Sequence, residues 1–197
     1  MPIWVWIVIA AAVVVAAVVV IVALMTARRK RTERLKERFG PEYDRTVTAA
    51  GGEPGVAEKE LAARERQRDK LDIRALSPAA RQGFAQRWRG VQSTFVDDPA
   101  SALVQADQLV TEVMRERGYP VEDFDQRAAD ISVDHPTIVQ NYRAAHDIHL
   151  SSQRGDVGTE QQRQAFVHYR ALFDKLLEPE THKDPSQDTE TAQETRA

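Results

Sequence analysis

The chain of 197 residues contains no cysteine. That excludes disulfides, thiolate metal sites and cysteine nucleophiles, and it fits a reducing compartment. Glycine is sparse, with nine residues, and none forms a phosphate-binding loop or a dinucleotide fingerprint. No Gly-x-Ser-x-Gly elbow is present either. No stretch alternates apolar and polar residues with period two, so no strands are expected. The fold class read from the pattern is all-α.

A long apolar run is present. Ile3–Met25 (IWVWIVIAAAVVVAAVVVIVALM) holds no charged residue. About 20 apolar residues in a helix match the roughly 30 Å hydrocarbon layer, so a transmembrane helix is expected over residues 3–25. The run is too long for a cleaved signal peptide, and nothing basic precedes it but the α-amino group. Arg28, Arg29, Lys30 and Arg31 follow at once and act as a topology signal. The expected orientation is N-terminus outside and C-terminal domain cytoplasmic, in a bacterial inner membrane. Trp4 and Trp6 would sit at the outer interface, and the basic stretch against anionic headgroups of the lipid bilayer.

The net charge of −3 hides an asymmetry. Residues 28–45 carry a local +4 and residues 46–197 a local −7. An acidic domain gives no basic face for phosphates, so nucleic acid is not an expected partner.

Residues 26–50 read as a basic juxtamembrane helix ended by Phe39-Gly40-Pro41, then a short second helix. Residues 51–76 read as a Gly/Pro linker and a charged spacer helix. In that helix Arg64 and Arg68 fall where a coiled coil would need apolar residues, so it is expected to be solvated. Residues 77–178 read as a compact bundle of about five helices. Ser77-Pro78 and Asp98-Pro99 are N-caps with proline in the first turn. Gly118 ends a helix before Tyr119-Pro120, and Asp134-His135-Pro136 is expected to open another. Thr159 and Gln162 read as a capping box. Phe84, Trp88, Val91, Leu103, Val113, Phe124, Ile131, Tyr142, Phe166, Tyr169 and Phe173 are expected to share one core. Residues 179–197 read as a disordered acidic tail.

Three stretches, RLKERFGPEYDR from Arg34, FVDDPASALVQADQLVTEVMRERGYP from Phe95 and ISVDHPTIVQNYRAAH from Ile131, resemble a family of uncharacterised bacterial single-pass membrane proteins. That family has a basic juxtamembrane stretch and no established activity. The resemblance covers most of residues 28–177 and implies an anchored bacterial protein; it assigns no site residue.

The candidate chemistry is thin. Asp97, Asp98, Asp134 and His135 stand at two similar corners and could form an acid–base site if the fold joined them. As helix starts they are equally explained by capping and the helix dipole. His146 and His149 are at most half a metal site, and no cofactor is expected. The function expected from an anchor, a spacer and a motif-free helical domain is a membrane-anchored interaction module binding another protein. An enzyme using the Asp/His corners and an envelope or stress factor at the inner lipid surface are the alternatives.

Overall fold

The computed structural model describes the backbone of residues 3–179 and the side chains of residues 15–179. Within that range the chain is all-α, with eight helices and no strand. They are α1 (Ile3–Phe39), α2 (Pro41–Ala49), α3 (Pro54–Arg68), α4 (Pro78–Asp97), α5 (Pro99–Arg117), α6 (Phe124–Asp134), α7 (Val139–Gln153) and α8 (Thr159–Leu177).

The membrane-spanning helix expected over residues 3–25 is not found: among the described residues no helix is long and apolar enough to cross a membrane. The apolar part of α1 with described side chains is Val15–Met25. Eleven residues rise only about 16 Å, roughly half a hydrocarbon layer. Any described window long enough to span runs into Arg28-Arg29-Lys30-Arg31. Residues 3–14, with Trp4 and Trp6, lie outside the residues whose side chains are described. The expected tail, 179–197, also lies outside them except for Pro179.

The chain divides into two compact units. Unit 1 comprises residues 1–71 and 120–144, and unit 2 comprises 72–119 and 145–197. The stretch 77–178 therefore contributes to both, and the eleven core residues named above are divided between them: Phe124, Ile131 and Tyr142 belong to unit 1, the other eight to unit 2.

In unit 1, Leu35 and Phe39 lie one turn apart on α1 and meet Tyr43 of α2, Leu61 of α3 and Val133 of α6. Leu35, Phe39 and Leu61 are fully buried, each stabilising by about 1.5–3 kcal/mol. Ile131 and Tyr142 are also buried here, with the half-buried Phe124 ring 5.0 Å from Tyr142. The charged helix α3 is not a solvated spacer. It buries Ala57, Leu61, Ala62 and Glu65, and its arginines are held by carboxylates brought from elsewhere. Arg64 donates to Glu42 of α2 at 2.9 Å, and Arg68 donates to both oxygens of Asp134 at 2.7 and 2.9 Å. Glu42 is fully buried and also accepts from Arg143 of α7 at 2.6 Å. Glu65 holds Arg34 and Arg38 of α1 at 3.0 and 3.2 Å.

In unit 2, α5 packs against both α4 and α8. Trp88 is buried, with Phe166 and Phe173 stacked on it at 5.2 and 4.5 Å. Leu103, Leu109, Val113, Tyr169 and Leu172 complete the core. Caps fix the helix starts: Ala80 N–H donates to Ser77 Oγ, and Ser101 N–H donates to Asp98 Oδ1 at 3.0 Å. Gly118 caps α5 with φ +94°, and a Cβ there would collide with the carbonyl oxygen of Asp72. Arg117 turns inward rather than to solvent, donating to the carbonyls of Arg74 and Leu176 at 3.2 and 3.1 Å. The N-cap of α8 is Gly158, not Thr159. Gln161 Oε1 accepts the Gly158 N–H, one arm of a capping box whose other arm glycine cannot supply.

Candidate functional site

The four residues expected as an acid–base site do not come together in one unit. Asp97 and Asp98 belong to unit 2, Asp134 and His135 to unit 1. Asp98 is the N-cap of α5, and hydrogen bonds from Ser101 hold its carboxyl below the usual range. Asp134 does not open a helix. It is the last residue of α6, followed by His135 as C-cap and a turn through Pro136–Ile138 before α7. Its carboxylate grips Arg68 instead. In the Asp-x-Pro alignment Asp97 and Asp134 each end a helix; the corners differ because Asp98 also N-caps α5, whereas a turn separates His135 from α7.

A histidine cluster lies in unit 2. Tyr169 donates through its hydroxyl to Asp107 Oδ1 at 3.0 Å, and His146 Nδ1 stands 3.9 Å from the same oxygen. Burial pushes the Asp107 carboxyl up, but the His146 ring, the Tyr169 hydroxyl and the nearby His149 bring it below its ordinary value. His149 is 6% exposed; burial lowers its pKa, Asp107 raises it and His146 lowers it again. Among the described residues no group of three His, Asp or Glu is placed to hold a metal ion. Asp107, Tyr169 and the two histidines form a polar seam along α5, α7 and α8.

An open groove lies in unit 1, between α3 and α6. It encloses about 550 Å³ and is lined by Glu60, Ala63, Arg64 and Gln67 of α3 with Asp123, Asp125, Gln126 and Ala129. Small alanines on both helices keep the floor low, and amides and carboxylates form the walls. The lining carries three carboxylates against one guanidinium. That guanidinium is already neutralised, because Arg64 holds Glu60 as well as Glu42. The surface presented to solvent is thus acidic. Asp123 spends one oxygen on the Gln126 N–H as the N-cap of α6, while Asp125 stands exposed.

Gln126 connects the groove to the interior. Its amide donates to Asp130 Oδ1 at 2.9 Å. Asp130 is fully buried, and its Oδ2 has no hydrogen-bond partner among the described residues. Burial pushes its pKa up; the Gln126 amide lowers it, Asp134 raises it and Arg68 lowers it. Sequence reasoning missed this site because α3 reads as a solvated helix, and a groove requires knowing that α6 packs on it.

No family model matches the chain. No curated protein matches it, and no solved structure does. The resemblance drawn above rests on its three quoted segments alone.

Proposed function

We propose that this protein is a helical interaction module that docks a segment of another protein in the α3–α6 groove. The observation supporting this reading is the groove itself: open, floored by Ala63 and Ala129, and walled by amides and surplus carboxylate. Such a lining favours a peptide element carrying Lys or Arg, since complementary charge directs encounter and register. The alanines admit close approach of a helix or an extended backbone.

The acid–base alternative has less support. Asp98 and Asp134 are engaged in a cap and an ion pair, and the two corners belong to different units.

The test is crosslinking of the full chain in intact cells, followed by mass spectrometry. Crosslinks from a partner should map to α3 and α6, and the paired substitution Ala129→Arg with Asp125→Lys should remove them. Asp125 is exposed and Ala129 only half-buried, so the helical content by circular dichroism should be unchanged. Recovery of no partner, or a partner indifferent to the two substitutions, overturns the reading.

A further inference from the structure

Val15–Met25 of α1 is apolar on every face of the helix. Its large side chains, Val15, Val18, Val19, Val20, Ile21, Val22, Leu24 and Met25, are each 53–62% exposed. Nothing in unit 1 covers them, since the α1 residues buried in the fold, Leu35 and Phe39, come later in the helix. A helix apolar all round is stable only when something apolar surrounds it.

The next turn narrows what that surrounding is. Arg28, Arg29, Lys30 and Arg31 are all exposed. Among the described residues Arg28, Arg29 and Lys30 form no ion pair, and Arg31 reaches only the carbonyl of Glu58 at 3.4 Å. One turn further on, Arg34 and Arg38 are both paired with Glu65. The fold thus neutralises the arginines that lie over its core and leaves bare those beside the apolar stretch. A second copy packed in parallel would bring its own basic quartet against this one, which is repulsive, and an antiparallel copy would leave both quartets without counter-charge. A lipid surface with anionic headgroups offers an apolar interior for the valines and negative charge for the arginines in the right order along the helix.

We infer that residues 15–31 bind an anionic lipid surface, Val15–Met25 entering the acyl region and Arg28–Arg31 engaging the headgroups. The docking groove of unit 1 takes no part, so the two readings stand or fall separately.

The full chain would be floated with vesicles of phosphatidylcholine alone and of phosphatidylcholine with phosphatidylglycerol. Flotation should favour the anionic vesicles and weaken in high salt. Replacing all four basic residues by Gln should weaken the preference about six-hundredfold, because each contributes about fivefold at such a surface. The pair Val18→Asp and Val22→Asp should abolish flotation while thermal melting stays that of the parent chain. Three results would overturn the inference: no flotation with anionic vesicles, undiminished flotation of the Gln variant, or self-association through Val15–Met25 that persists when vesicles are present.

Discussion

Arg143 donates to Glu42 Oε2 at 2.6 Å, closing a hydrogen bond across 101 residues of chain. Glu42 accepts from Arg64 through its other oxygen, so one fully buried carboxylate ties α2, α3 and α7 together. Burying charges is costly, and removing one partner leaves the others without compensation. Glu42→Ala should therefore destabilise unit 1 by about 3–5 kcal/mol in urea titration. Arg45 also approaches Glu42, at 3.7 Å, but its side chain is 49% exposed. Arg45→Ala should cost less than about 1 kcal/mol. Equal losses for the two would mean that the buried pairs do not organise the unit.

Trp88→Ala removes the ring stacked with both Phe166 and Phe173. The expected loss is about 3–5 kcal/mol, with a lowered melting temperature by circular dichroism. A loss under about 1 kcal/mol would be incompatible with a ring at 4% exposure.

Gly118 and Gly155 both have positive φ, +94° and +80°. Gly155 faces open space, whereas Gly118 is pressed against the Asp72 carbonyl. Gly155→Ala should cost about 1–2 kcal/mol, the left-handed penalty alone. Gly118→Ala should cost distinctly more, because the 72–74 segment must also move. Matching melting temperatures for the two variants would contradict that close approach.

Two buried groups give opposite pH signatures. His149 has a lowered pKa, so the folded chain disfavours its cation. Its contribution is fully present above the ordinary imidazole value of about 6.5 and is lost as pH falls below it. His149→Gln should flatten that part of the stability profile. Asp130 has a raised pKa, so its contribution is present below the ordinary carboxyl value of about 3.9 and is lost as pH rises through the folded value. Asp130→Asn should equal or exceed the parent chain at neutral pH, with the difference closing in acid. A variant less stable than the parent at neutral pH would show that the carboxylate is needed ionised.

Much of the helix punctuation was legible. Ser77, Asp98 and Gly118 are local signals, readable because a cap needs only its own next turn. The end of α1 at Phe39-Gly40-Pro41 was equally plain. What was not legible depends on residues far away in the chain. The buried stripe of α3 is Ala57, Leu61, Ala62 and Glu65, one leucine, two alanines and an acid among many charges, which looks solvated until Glu42 and Asp134 are placed against its arginines. Asp134 imitates an N-cap because an acid just before a proline suits a helix start; instead it ends α6, with its side chain held by Arg68. The groove inherits both difficulties, since α3 and α6 form its two walls. Likeness of sequence at Asp97-Asp98 and Asp134-His135 likewise carried no information about which unit each would join.

The interleaving of the two units sets an order of events on the ribosome. Unit 1 needs residues 120–144, so α1, α2 and α3 leave the exit tunnel well before α6 can cover them. At about 5–20 residues per second, the 101 residues between Glu42 and Arg143 take roughly 5–20 s to synthesise. During that interval Leu61, Phe39 and the Glu42 carboxylate are without the helices that later enclose them. The nascent chain is then at its most open to chaperones and proteases, and a pause between α3 and α6 would lengthen that exposure.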